Sequence, residues 1–139
     1  MVSAYRLISQ SAALQPTTKS RPLCKFSIKL VDRYAWNLTS TRTQYRKLGM
    51  ETALTELDVR LLLPSTPELQ ATQATVYANS TKACLDVKGC VGVTVWDFWD
   101  PVSWVPSAFP GYGDATLFEA SFKRKPAYYA VSDLLRSYA

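Results

Sequence analysis

The sequence predicts an α/β fold in which two parallel strands flank a helix. Two apolar runs typical of strands, about Glu51 to Leu57 and Val91 to Trp96, are separated by a segment with helical spacing, about Pro67 to Leu85. Strand, helix and strand in this order form a right-handed βαβ unit, so the two strands are expected to lie parallel and adjacent. The 139 residues amount to one domain, well short of a usual α/β barrel of about 250 residues.

Residues 1–37 differ from the remainder of the chain in charge and in pattern. Residues 1–50 hold nine basic residues and one acidic residue, a net charge of +8, whereas residues 51–139 hold seven basic and ten acidic residues, a net charge of −3. Only the alternation over Phe26–Leu30 suggests a strand, so residues 1–37 are predicted to be an irregular basic head. Its basic residues are scattered, so no nucleic-acid partner is predicted, although a polyanion-binding head stays an alternative.

Two helices are predicted around the first strand. A short helix begins after Thr39 or Ser40 as N-cap and runs to Leu48, where Gly49 stops it. The long helix has Thr66 as its cap, with a proline at its first position and a glutamate next to it. Its predicted inner face consists of residues at helical spacing: Leu69, Gln73, Val76, Tyr77, Ser80 and Cys84.

The second strand is followed by a long aromatic loop and a last helix. Since Val91 to Trp96 is almost wholly apolar, it is predicted to be fully buried, with Val91, Val93 and Val95 facing the helices. Residues 97–124 form a loop whose length suggests a function. The last helix is predicted from about Pro126 to Tyr138. Its predicted inner face comprises Ala127, Tyr128, Val131, Leu134, Leu135 and Tyr138.

The first strand ends in two carboxylates. By strand alternation, Leu54, Glu56 and Asp58 share one face. A buried carboxylate is costly unless it is paired or hydrogen-bonded, so this pattern indicates a functional site more often than a plain core strand. The alternative is an exposed strand end with two solvated acids, and the residues alone leave both interpretations open.

An aromatic cluster lies close in sequence to the end of the second strand. Parallel pairing would put Glu56 and Trp96 at the same carboxyl-terminal edge, where α/β folds bind ligands. Aromatic rings beside acids suit sugars, whose C–H faces stack on indole, although core packing is the usual role of any single tryptophan. Six aromatic residues fall within seventeen positions: Trp96, Phe98, Trp99, Trp104, Phe109 and Tyr112.

Cysteine and apolar content limit the other function classes. Spacing allows Cys84 and Cys90 to form a disulfide or to remain two thiols. The chain has no histidine and no Cys-x-x-Cys pair, so no metal site is predicted. No apolar run approaches about 20 residues, so no membrane span is expected. The amino terminus has no continuous apolar stretch typical of a signal peptide.

Residues 38–139 resemble the carboxyl-terminal end of glycoside hydrolase family 10, the endo-1,4-β-xylanases, and within it the fungal type. The resemblance rests on five segments: Leu48-Gly49-Met50-Glu51-Thr52-Ala53-Leu54-Thr55-Glu56-Leu57-Asp58-Val59-Arg60, Gly92-Val93-Thr94-Val95-Trp96, Ser103-Trp104-Val105-Pro106, Gly111-Tyr112-Gly113 and Lys125-Pro126-Ala127-Tyr128-Tyr129. It implies that the fold is the last two β/α units of a (β/α)8 TIM barrel.

The resemblance also implies roles for individual residues. Glu56 takes the position of the catalytic nucleophile, and Asp58 that of an acid which supports it through a histidine. Trp96 and Trp104 match tryptophans that enclose the sugar at the cleavage point. Asp97 stands where the family often has glycine, with Trp99 beside it as a further predicted substrate-binding residue at the edge of the pocket. Separately, the resemblance implies a Cys84–Cys90 disulfide.

The implied activity is retaining hydrolysis of β-1,4-xylosidic bonds in xylan, without a cofactor, in a secreted protein. The family's acid/base glutamate lies in an Asn-Glu dipeptide, which this sequence lacks. We therefore predict little or no activity for this chain alone, and marginal stability because a partial barrel exposes strand edges. Loss of resemblance before residue 38 suggests a truncated or misjoined reading of a longer gene. The alternative function is a non-catalytic carbohydrate-binding remnant that uses the Trp-rich loop.

Overall fold

The computed structural model describes residues 23–26, 29–30 and 38–139, with side chains from Thr43 onward. A 3₁₀ turn at Asp100–Val102 lies between the last two strands. The strands and helices, numbered along the chain, are β1 (Leu23–Phe26), β2 (Lys29–Leu30), α1 (Leu38–Lys47), β3 (Glu51–Val59), β4 (Leu61–Leu62), α2 (Pro67–Leu85), β5 (Cys90–Val95), α3 (Val105–Ala108), β6 (Tyr112–Gly113) and α4 (Pro126–Ser137).

Strand β3 is the centre of the main sheet. It pairs in parallel with β5, so β3, α2 and β5 form the predicted βαβ unit. On its other side β3 pairs in parallel with β1 near its start and with β2 near its end. Both short strands lie in the head, for which the sequence predicts irregular structure. They form because the free edge of β3 offers backbone N–H and C=O groups with which an extended segment can pair. The rest of the head lies outside the described residues.

Helix α2 has the predicted bounds. The Oγ1 of Thr66 accepts a hydrogen bond from the backbone N–H of Leu69 at 3.3 Å. A hydrogen bond with the Thr66 side chain also lowers the pKa of Glu68. The negative charge of Glu68 is favourable here, because the amino-terminal end of a helix carries a partial positive charge. The capping residue Thr66 therefore predicted the start of α2 correctly.

Helix α1 begins earlier than expected. Thr39 and Ser40, each predicted as the cap, both lie inside the helix, which starts at Leu38. Serine and threonine are tolerated in a first turn, where backbone N–H groups have no intrahelical acceptor, so the sequence indicates the turn but not its first residue. The predicted stop is confirmed, because Gly49 has a φ of 80° and its N–H donates to the carbonyl of Arg46.

The core lies between the sheet and helices α2 and α4. Leu57 and Val59 of β3 pack with Tyr77 of α2 and Ala127 of α4, and all four are buried. These contacts confirm the predicted inner faces in outline. The prediction for Tyr138 is wrong, because α4 ends one residue earlier and this side chain is 43% exposed.

Strand β5 is less buried than predicted. None of its residues is fully buried, and Val91 is 55% exposed. The register shifts between the Thr52–Cys90 and Ala53–Gly92 pairs, which leaves Val91 as an extra residue in β5. Within the described part of the chain, β5 has β3 as its one strand neighbour, so strand pairing protects only one of its edges.

Residues 97–124 contain more regular structure than a plain loop. The 3₁₀ turn and α3 interrupt the segment, and β6 pairs antiparallel with β4, directly after β3. This pairing ties the loop to the end of β3. No helix in the described residues is long and apolar enough to cross a bilayer.

A disulfide joins Cys84, near the end of α2, to Cys90, the first residue of β5. The two Cα atoms are 5.2 Å apart. The bond confirms the pairing that the family resemblance implies, and it links the helix directly to the strand that follows.

Candidate active site

The end of β3 departs from regular strand geometry at Glu56. Three steps of β3, from Leu54 to Leu57, lie opposite two steps of β5, from Val93 to Val95. The extra residue is a β-bulge. Leu57 packs in the core with Tyr77 and Ala127, and Leu54, equally buried, lies outside that cluster. Bulges re-aim side chains and are frequent beside active sites, which fits the half-buried Glu56 within this one.

Asp58 is nearly enclosed and is bonded to the aromatic loop. Its residue exposure is 5%, and its Oδ2 accepts a hydrogen bond from the indole Nε1 of Trp104 at 2.6 Å. Such a partner offsets the cost of burying a polar carboxyl group. Asp58 thus has an indole donor in a chain that contains no histidine.

The Trp104 ring rests on further aromatic residues. Its centroid is 5.5 Å from that of Phe109 in an edge-to-face arrangement. The guanidinium carbon of Arg60 lies 3.7 Å from the Phe109 centroid and 4.8 Å from that of Tyr112. Sequence reasoning gave Arg60 no role, although its position two residues after Asp58 was a usable signal.

Trp96 lies at the same edge of the sheet as Glu56, as predicted. Its backbone N–H donates to the carbonyl of Leu57 at 3.0 Å, and the residue is 44% exposed. A half-buried carboxylate and a solvent-exposed indole therefore end two neighbouring parallel strands. Such an edge can receive a sugar ring and present a carboxylate to it.

Trp99 belongs to a different group. It stacks on Phe122 with ring centroids 4.5 Å apart and planes 6° apart. Its Nε1 donates to the carbonyl of Ala120 at 3.2 Å. The contacts of Trp99 with Phe122 and Ala120 hold its ring in place, and its predicted role in substrate binding stays a prediction.

A buried ion pair anchors the loop that carries Trp104. Lys125 Nζ lies 3.1 and 2.9 Å from the two carboxylate oxygens of Asp100, and 2.7 Å from the carbonyl oxygen of Asp114. Thr116 donates to Asp100 Oδ1 through both its backbone N–H and its hydroxyl. The Lys125 side chain is 1% exposed, and nothing in the sequence distinguishes it from a surface lysine.

Helix α2 holds the same loop against the end of β3. The Nε2 of Gln73 donates to the carbonyls of Val59 and Asp114, each at 2.6 Å. The Tyr77 hydroxyl donates to the carbonyl of Ala115, which also accepts from the N–H of Val59. Burial raises the pKa of the Tyr77 phenol well above its usual range, so it stays a neutral donor.

Asp97, directly after Trp96, has an unusual backbone conformation. Its φ is 72°, in the left-handed region that glycine adopts without cost and aspartate tolerates. This geometry explains why glycine suits the position. Burial also raises the pKa of the Asp97 carboxyl.

Metal ligands do not gather in the part of the chain that the structure describes. No group of three or more His, Cys, Asp or Glu residues there is placed to hold an ion. The chemistry available at the end of β3 is therefore that of two carboxylates beside indole rings.

Comparisons with known proteins point to one family. A profile described as glycosyl hydrolase family 10 matches residues 28–134, ten residues further toward the amino terminus than the boundary predicted at residue 38. The chain is 50% identical over 99 residues to endo-1,4-beta-xylanase A of Phanerodontia chrysosporium, covering 71% of this chain and 24% of that protein. The chain thus spans about a quarter of the length of this relative.

Solved structures agree with the sequence matches. Penicillium canescens endo-1,4-beta-xylanase XylE is 39% identical with a TM-score of 0.70, over 85% of this chain and 35% of that one. A GH10 xylanase from Bispora sp. MEY-1, solved with xylobiose, is 37% identical with a TM-score of 0.67, over 69% of this chain and 31% of that one.

Proposed function

Because the chain belongs to glycosyl hydrolase family 10, we propose that it serves in the retaining hydrolysis of β-1,4-xylosidic bonds in xylan, with Glu56 as the nucleophile. The observation that carries the proposal is the 2.6 Å hydrogen bond from Trp104 to Asp58. It joins the aromatic loop to the strand end that bears Glu56. Core packing alone gives no reason for an enclosed carboxylate at this edge.

The proposed reaction needs two carboxyl groups about 5 Å apart. An oxygen of Glu56 attacks the anomeric carbon, the bond to the leaving oxygen breaks, and a second carboxyl group protonates that oxygen. A water activated by the second group then hydrolyses the glycosyl ester. Glu56 is half-buried in a bulge at the open edge of the sheet, which suits a nucleophile that must reach a bound sugar.

Asp58 and the tryptophans act in positioning. The hydrogen bond to Asp58 fixes the Trp104 indole, and the edge-to-face contact with Phe109 supports that ring from the side. Trp96, at the end of the adjacent strand, provides a second aromatic wall. We assign Trp96 and Trp104 to the sugar at the cleavage point.

The sequence has no match to the Asn-Glu dipeptide that supplies the second carboxyl group in the family. It also contains no histidine. We therefore propose that this chain by itself binds xylooligosaccharides but turns over little or no xylan. Its Cys84–Cys90 disulfide favours an oxidising, extracellular setting for the protein.

A substrate with a good leaving group tests whether Glu56 acts as the nucleophile in a chain that lacks the acid/base glutamate. Dinitrophenyl β-xylobioside needs no proton for its leaving group, so Glu56 can displace dinitrophenolate without the missing acid. Release of at most one equivalent per chain is expected, because the ester then lacks a base for hydrolysis. Absorbance of the released dinitrophenolate measures it.

Glu56→Gln is expected to release no dinitrophenolate. The matched control is Glu68→Gln, at an exposed position of α2, which is expected to release as much as the natural chain. Equal release by Glu56→Gln would overturn the assignment of the nucleophile. Binding of xylooligosaccharides without any release would overturn the catalytic proposal. Steady xylan hydrolysis at rates typical of enzymes, lost in Glu56→Gln, would overturn the prediction of inactivity.

A further inference from the structure

A second aromatic group lies on the surface of the region between β5 and α4. Trp99 and Phe122 stack almost parallel, 4.5 Å apart. The indole is fixed from one side, because its N–H donates to the carbonyl of Ala120.

Phe122 is held at the surface rather than buried. It is 57% exposed, so the parallel stack covers one face of its ring and leaves the other open to solvent. Its backbone has a φ of 60°, which is unfavourable for an aromatic residue. The tight turn is closed by hydrogen bonds from Phe122 N–H to the Glu119 carbonyl and from Glu119 N–H to the Lys123 carbonyl.

Strain combined with exposure argues against simple packing. A ring that serves only the core gains from burial and has no reason to occupy a costly backbone conformation at the surface. Glu119 lies in the same turn, and its carboxylate accepts a hydrogen bond from the Ser121 hydroxyl at 3.4 Å.

We propose that Trp99 and Phe122 form a surface platform that binds a β-1,4-linked xylan chain. The exposed face of Phe122 stacks on the C–H face of a xylose ring, and Glu119 accepts from its hydroxyls. The choice of xylan as ligand rests on the proposed function. The platform holds the polymer, whereas the end of β3 acts on the bond.

Binding of the full chain to insoluble xylan tests the platform. Phe122→Ala is expected to weaken binding about fivefold to tenfold, because it removes the stacking surface. Phe122→Tyr keeps the ring and is expected to bind within about twofold of the natural chain. Tyr129→Ala is the matched control, since Tyr129 is a 51% exposed aromatic residue on α4, and no change is expected. Circular dichroism confirms that each variant is folded.

The outcomes separate the two proposals. Folded Phe122→Ala that binds xylan as tightly as the natural chain overturns the platform alone. Equal weakening by Phe122→Ala and Tyr129→Ala overturns it as well, because the effect would not be specific. If the natural chain binds neither xylan nor xylobiosides, the proposed function fails together with the platform. Dinitrophenolate release by Phe122→Ala is expected to match that of the natural chain.

Discussion

Strands β3 and β5 come from one βαβ unit and are both apolar in sequence, yet they differ in burial. Six of the nine residues of β3 are buried, and strands pair with it on both sides. No residue of β5 is fully buried, and in the described residues it pairs with β3 alone. The difference shows that the neighbours of a strand, more than its own composition, decide how much of it is buried.

The candidate site lies at the end of β3, the strand that has neighbours on both sides. The loop segment around Asp114 and Ala115 is bonded to the end of β3 by Gln73 and Tyr77, and Lys125 locks it from the other side. The loop therefore depends on β3 and on the helices for its position. Substitutions on this side are expected to be costly, and substitutions on β5 mild.

The largest expected effect is from Lys125→Met. It removes the partner of Asp100 and leaves a buried carboxylate, which lowers the free energy of unfolding by about 3–5 kcal/mol. Urea denaturation followed by tryptophan fluorescence measures the loss. Lys123→Met, at an exposed lysine two residues earlier, is the control and should change stability by less than about 0.5 kcal/mol. A loss below about 1 kcal/mol for Lys125→Met would mean that the ion pair does not anchor the loop.

The second prediction compares the loss of stability caused by one substitution in β3 with that caused by one in β5. Leu57→Ala empties a position that is 1% exposed in the core cluster and should cost about 2–5 kcal/mol. Val91→Ala, at the 55% exposed position of β5, should cost less than about 0.5 kcal/mol. The same denaturation experiment measures both. Similar costs for the two variants would contradict the difference in burial between the strands.

The smallest effect is expected at Asp97, after β5. Its folded-state pKa is raised by burial, so the folded chain holds this proton more readily than the unfolded chain, and stability falls as pH rises through that pKa. Asp97→Asn keeps a side chain that tolerates the left-handed backbone and removes the charge.

The Asp97→Asn variant should match the natural chain at low pH, below the usual pKa of aspartate. At neutral pH it should be more stable, by about 0.5 kcal/mol or less. Thermal unfolding across this pH range measures the difference. A gap that stays constant or shrinks as pH rises would show that burial of the carboxyl does not affect stability.

Local rules predicted several elements well. Helix α2 carries its own boundary signals in Thr66 and Pro67, and Gly49 ends α1 because few other residues adopt its φ. The βαβ order fixed parallel pairing of β3 with β5 through chain geometry alone. The resemblance added the Cys84–Cys90 disulfide, which spacing had left open and the structure confirms. It also added roles for Glu56 and Asp58, which stay predictions.

Features that depend on distant contacts could not be predicted. The bulge at Glu56 is a property of how two strands pair, so alternation within one strand does not predict it. The burial of Lys125 depends on Asp100, 25 residues away, and the stack of Trp99 depends on Phe122, 23 residues away. In each case the sequence shows the residue types but not the partner.

If Glu56 is the nucleophile, it forms a covalent bond to the sugar. Peptide mass spectrometry of the chain after reaction with dinitrophenyl β-xylobioside detects that bond. One xylobiosyl group is expected on the peptide that contains Glu56, and none in Glu56→Gln. An unmodified Glu56 peptide after dinitrophenolate has been released, or a xylobiosyl group on any other residue, would contradict it.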